Sequence, residues 1–343
     1  MTQFTINRRH ILAGMGAAGA MTVLGQPAFA QNTKVNLGVM RLGSHAPSFI
    51  AFERGYYKDE GLDVELKFFE AAQPMAVAIA SGDADYAVTA MSGGLVSLAE
   101  KGAIKVIGGA LAEEKGVVGN LLLASTKAYD AGLTSADKLG GHSFGITTAG
   151  SSFHYMCHKI AEANNIPMSE ITLRPLQKVG AIAGALSTGQ VDAWTIQANV
   201  ANRLLESGAV KQIGVVSDYV PNYQVTTVFT STKNASDERE KTEAFIRAYS
   251  RAIDDYNAAM VDKTASAEEV DAIAAIVHKY IDTDVPAEQA KETFISGAMR
   301  VNKGCALSLD SVTDQLNWFK AEGMVSNDIT PELLFDTSYV ETI

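Results

Sequence analysis

The feature that most limits what this chain can fold into is an internal repeat at a fixed step. Gly38-Val39 recurs as Gly145-Ile146, 107 residues on. The same step carries Gly43-Ser44 onto Gly150-Ser151, Val64 and Leu66 onto Ile171 and Leu173, and Gly82 with Asp85 onto Gly189 with Asp192. One residue is then dropped, and Gly102-Ala103-Ile104-Lys105 reappears as Gly208-Ala209-Val210-Lys211. A register held through strand, turn, helix and second strand reads as two similar α/β halves in succession. The matched Gly-Ser turns lie where a strand hands over to a helix. Folding the halves against each other would aim two sets of backbone N–H groups into one cleft, a geometry suited to a small solute.

Hydrophobic periodicity fills in the halves. Lys34 to Met40 alternates as a strand, Pro47 to Tyr57 repeats at helical spacing, and Leu62 to Phe68 alternates again. Met75 to Ala80 reads as a helix stopped at Gly82, Asp85 to Thr89 as a third strand, and Lys105 to Gly108 as a fourth. The second half runs the same course from His142 to Val216. Gly119 to Ser125 and Gln224 to Ser231 fall outside the repeat register and read as a double crossover, which permits closure by rotation. Beyond Ser236 the pattern is helical, with Glu243 to Met260, Ala267 to Tyr280, Pro286 to Met299 and Leu309 to Glu322 expected to pack on the first half.

The amino terminus reads as an export signal. Arg8-Arg9 precede an apolar stretch from Ile11 to Leu24, and Ala28-Phe29-Ala30 forms a small-x-small cleavage site. Fourteen residues are too few for the ~20 that span a bilayer, and paired arginines suggest the twin-arginine export machinery. The mature protein is expected to start near Gln31 as a soluble periplasmic protein. The G-x-G-x-x-G of Gly14 to Gly19 follows no strand and lies in the segment to be removed. A formal charge of -11, or -13 once Arg8 and Arg9 are gone, disfavours nucleic acid and anionic membranes as partners. Cys157 and Cys305 permit one disulfide without requiring it.

Candidate site residues follow from the turns. Ser44 and His45 in the first half, and Ser151, Ser152 and Phe153 in the second, occupy equivalent strand-to-helix corners, where free N–H groups and the helix dipole favour an electron-rich ligand. Met91 and Ser92 follow the third strand, and Trp194 and Gln197 follow its counterpart. Gln73 sits after the second strand, and Arg41 is the guanidinium near a cleft-forming turn, able to clamp a carboxylate or sulfonate. Capping, turn and core roles compete with ligand contact at each of these positions. His154, Cys157 and His158 share one helix face, yet three helix-borne groups alone do not make a tetrahedral centre, so no metal or other cofactor is expected. No C-x-x-C, H-E-x-x-H or P-loop is present.

Ala46-Pro47-Ser48-Phe49-Ile50-Ala51, the run from Gly55 to Glu65 and Ser81 to Ala87 resemble the periplasmic solute-binding proteins for sulfonates, taurine, nitrate and thiamine-pyrimidine precursors that serve ABC importers. Gly150 to Tyr155 and Gly189 to Trp194 look like that family's second-half motifs. The resemblance implies a type II periplasmic-binding-protein-like α/β fold, with two lobes joined by a two-strand hinge and carboxy-terminal helices on lobe one. Residues 31–120 with 226–343 would form lobe one, 121–225 lobe two, and 1–30 the signal peptide. It also implies a monomer with a small-molecule solute at the lobe interface and an ABC permease as docking partner. Thr195-Ile196-Gln197-Ala198-Asn199 replaces the family's Trp-acid-Pro-aromatic continuation, so the pocket floor differs. Two other uses of the fold are an enzyme of the thiamine-pyrimidine-synthase kind, whose cysteine-rich iron site two distant cysteines cannot supply, and a sensory module for a receptor.

Overall fold

A computed structural model of the chain describes residues 32–343; the export signal expected over 1–30 lies outside the described residues. The repeat is realised as two five-stranded sheets of the same topology. In the first, β1 (Thr33–Val39), β2 (Leu62–Phe68), β3 (Tyr86–Thr89) and β4 (Ile104–Gly109) lie with β10 (Thr227–Ser231) in the order β2-β1-β3-β10-β4. In the second, β5 (Asn120–Ser125), β6 (Ser143–Ile146), β7 (Thr172–Pro175), β8 (Ala193–Gln197) and β9 (Val210–Val215) take the order β7-β6-β8-β5-β9. β1 is parallel to β2 and β3, and β6 to β7 and β8. Parallel neighbours need crossovers, and the helices supply them.

Those helices are α1 (Ala46–Glu53), α2 (Tyr56–Asp59), α3 (Ala72–Ser81) and α4 (Gly93–Glu100) in the first half. The second half holds α5 (Thr126–Asp130), α6 (Ser152–Ala163), α7 (Val179–Ser187) and α8 (Ala198–Glu206). Gly55, at φ 75°, breaks the single helix expected over 47–57 into α1 and α2. Repeat-related details agree atom for atom. Asp85 accepts a hydrogen bond from the Asn36 amide at 2.8 Å, and Asp192 one from the Ser143 amide at 2.8 Å. A Cβ on Gly38 would meet Met75 at 2.9 Å, and one on Gly145 would meet Ile182 at 2.4 Å, so both strands need glycine where a helix crosses close.

The two segments outside the expected register are each the antiparallel member of a sheet: β10 pairs with β3 and β4, β5 with β8 and β9. Each sheet thus takes one strand from the crossover. The crossovers also bond to each other, through Glu113 N to Tyr223 O at 2.8 Å and Val225 N to Leu111 O at 2.9 Å, and make the two-strand hinge. Gln224 ties that hinge down: its Nε2 donates to Leu111 O and Thr226 O, and its Oε1 accepts from Asn302 and the Ser308 amide.

The carboxy-terminal region contains α9 (Thr232–Asp237), α10 (Arg239–Tyr256), α11 (Ala267–His278), α12 (Ala287–Ser296), α13 (Leu309–Ala321) and α14 (Pro331–Leu334). α10 covers the first half, with Phe245 stacked between Tyr57 and Tyr86, and α11 packs on α1. α12 and α13 also reach the second half. α12 meets α8, and Trp318 of α13 lies edge-on to His154 and Tyr155, whose hydroxyl donates to Asp314 at 2.5 Å. Among the described residues no helix is long and apolar enough to cross a membrane.

Candidate functional site

The loops that leave β1, β3, β6 and β8 at their carboxyl ends meet at the seam between the two sheets, where open α/β sheets bind ligands. They enclose a cavity of about 50 Å³. Its lining follows the repeat: Met40 faces its counterpart Thr147, Ser44 its counterpart Ser151, and Ala72 its counterpart Val179, each 107 residues apart. The cavity is nearly twofold in its backbone and asymmetric in its chemistry, with His45 opposite Ser152, Thr89 opposite Ile196, and Ala90 opposite Gln197.

Four helices begin at this cavity: α1 behind His45, α3 behind Ala71, α6 behind Ser151 and α7 behind Lys178. None of the four carries a side-chain cap. Elsewhere serine caps do form. Ser92, Ser125, Ser231 and Ser266 accept from the third amide of α4, α5, α9 and α11. Ser151 is the same residue type at the same position, yet its buried Oγ has no partner. No side chain occupies the first-turn N–H groups of α6 and α7, and Ser151 Oγ is unpartnered, whereas α1 offers fewer donors because the Ala46 amide bonds Gly43 O and Pro47 has none, and α3 loses one to Pro74; the helix dipoles add positive potential. No aspartate, glutamate, lysine or arginine lines the cavity.

His45 is the titratable group on the wall. It is 1% exposed, and neither ring nitrogen has a hydrogen-bond partner. Burial pulls its pKa from 6.5 down to about 3, so the imidazole is neutral, with one nitrogen a donor and the other an acceptor. Gln197 spans the seam: its Oε1 accepts from the Ser44 amide at 3.0 Å, and its Nε2 donates to Ser44 Oγ at 2.9 Å. A backbone bond from Gly93 N to Gly150 O at 3.0 Å also joins the halves.

Of the residues anticipated from sequence, Ser44, His45, Ser151, Ser152, Phe153 and Gln197 come together on this cavity. The others are elsewhere. Met91 is buried in the first-half core, and Trp194, fully buried, packs behind Phe153 with ring centroids 5.4 Å apart. Ser92 caps α4 and donates to Gln73 Oε1 at 3.0 Å, so that pair binds itself. Arg41 lies on a neighbouring, larger space, over the Phe68 ring. His154 Nδ1 accepts from the Gly150 amide at 3.2 Å, Cys157 is buried, and both cysteines are free. Among the described residues no three ligating groups gather as a metal site. Asn120 and Thr226, on the two crossover segments, also line the cavity and were not anticipated, because the repeat pattern does not cover those segments.

The family model described as NMT1/THI5 like matches residues 43–260. No curated protein matches the sequence. Among solved structures, the ligand-binding component of an ABC-type import system from Staphylococcus aureus, with zinc bound, is similar with a TM-score of 0.70 at 13% identity, covering 90% of this chain and 97% of that one. The alkanesulfonate-binding protein SsuA from Xanthomonas axonopodis pv. citri, bound to MOPS, gives 0.70 at 14% identity over 89% of this chain and 99% of that one. The periplasmic nitrate-binding protein NrtA from Synechocystis PCC 6803 gives 0.67 at 14% identity over 88% and 84%. These chains share the two-lobed periplasmic-binding-protein fold.

Proposed function

This chain belongs to the NMT1/THI5-like family, and we propose that it is an extracytoplasmic receptor that closes its two lobes on a small organic anion or zwitterion and presents the closed form to an ABC permease. The observation that carries the reading is the ring of four uncapped helix starts around a cavity without a carboxylate. Such donors select an electron-rich oxygen without needing a cation. Two of the similar folds, one bound to a sulfonic acid buffer and one a nitrate-binding protein, take ligands of that chemistry.

On this reading, 31–120 with 226–343 and 121–225 are the lobes that move. The twin-arginine route exports the chain, cleavage falls near Ala30, and the mature protein works as a periplasmic monomer. The role is binding rather than catalysis, with His45 serving as a neutral hydrogen-bonding wall. Closure must favour the liganded form by a few kcal/mol for a permease to distinguish full from empty. Calorimetric titration with sulfonates, carboxylates, nitrate and pyrimidines tests the proposal, with small-angle scattering to follow compaction. An oxyanion is expected to bind, and Ser151→Ala to weaken it by about tenfold, the worth of one buried hydrogen bond. If no solute changes the affinity signal, the radius or the melting temperature, the receptor reading fails.

A further inference from the structure

The cavity at the helix starts, about 50 Å³, holds a small polar head and little more. Met40, Leu42 and Val179 line both it and an adjoining space of about 580 Å³ between the lobes, a size within the ~300–1,000 Å³ of small-molecule sites. A solute larger than its polar head therefore extends into this outer chamber.

The chamber has two unlike walls. On one, Arg41 and Phe68 stand at the ends of β1 and β2; on the other, α7 and α8 present Ala183, Val200 and Leu204. Phe68 is 40% exposed, and behind it Phe49 and Tyr280 lie near-parallel at 6.3 and 6.2 Å. The Arg41 guanidinium carbon sits 4.2 Å from the Phe68 centroid, held by donation from Nη1 to Tyr280 O at 2.8 Å. That acceptor is a neutral carbonyl, and no carboxylate pairs with Arg41 among the described residues. The other charged groups on the chamber are Arg203 and Asp282, which pair with each other, and exposed Glu70 at the rim. An uncompensated guanidinium beside an open ring favours an aromatic partner over an alkyl chain, because the ring's negative face meets the cation while its body is buried.

We infer, building on the receptor reading, that the solute is an aryl acid, with its oxyanion head at the helix starts and its ring in the outer chamber between the Arg41–Phe68 wall and the aliphatic side chains of α7 and α8. Arg41 and Phe68 are then the residues that set specificity for the body of the solute. The test titrates the purified chain with benzenesulfonate against methanesulfonate and benzoate against acetate, pairs that share a head and differ in the ring. The aryl acid is expected to bind at least about tenfold more tightly in each pair that binds. Arg41→Ala, an exposed position, and Ala183→Trp, which fills the chamber, should each bring the ratio to within about twofold by weakening the aryl acid more than the methyl acid. Ser151→Ala should weaken both members of a pair equally. A parent ratio near unity, or a ratio that both variants leave intact, overturns the inference alone, since head binding would still stand. Failure of every acid to bind overturns it together with the receptor reading.

Discussion

Acid should destabilise this protein through His45 more than through an ordinary histidine. In the fold the imidazole is buried at the start of α1 and held neutral, its pKa down at about 3, whereas the unfolded chain takes up a proton near 6.5. Between those values the unfolded state binds the extra proton, so stability is fully present above pH 6.5 and falls as pH falls toward 3. The gap of about 3.5 pH units at 1.36 kcal/mol each amounts to about 5 kcal/mol, of which about 3 is gone by pH 4. That is a large share of the ~5–15 kcal/mol typical of a folded domain. The assay is urea unfolding at pH 7 and pH 4 on the parent chain and on His45→Gln. Other titrating groups, including buried His154, whose pKa is also lowered, are common to both proteins and cancel in the comparison. The parent should lose about 3 kcal/mol more than the variant across that range. Parallel losses would refute the reasoning, because they would mean that His45 is hydrated enough to charge without unfolding.

Two further outcomes follow from buried groups described above. Gln197→Ala removes both bonds to Ser44 across the seam and leaves the Ser44 amide without its acceptor. Chemical denaturation should report a loss of about 1–3 kcal/mol, and small-angle scattering a more open average shape. Cys157 and Cys305 are free and buried, with the Cys157 thiol pushed up to about 12 and that of Cys305 raised further by burial. A thiol reagent should find neither in the native protein and both in urea; no reactive thiol in urea would mean that they are bridged.

Much of the architecture was legible because it is written twice. Gly38 and Gly145 are visible in the sequence as a matched pair, and the structure gives the reason in the side chains of Met75 and Ile182 that cross them. Ser44 and Ser151 were legible as cavity residues on the same ground. What escaped was whatever depends on a partner far along the chain. β5 and β10 look like mere connections in sequence, since nothing local reveals that each inserts antiparallel into the other half's succession of strands. Ser92 and Gln73 look like cleft residues until their mutual hydrogen bond is seen. Trp194, on a strand end, gave no sign of which sheet face it would take. Arg41 was legible as a cation near the cleft, but its seat over Phe68 depends on Tyr280, 239 residues away.

The paired lining of the inner cavity has a consequence for how any guest is oriented. Two half-sites of equal backbone shape would accept a molecule either way round with the same energy. Discrimination between the two poses must come from the mismatched positions, Met40 against Thr147, His45 against Ser152, Ala72 against Val179, Thr89 against Ile196 and Ala90 against Gln197. Exchanging side chains within those couples would turn the guest end for end while the cage that encloses it stayed the same.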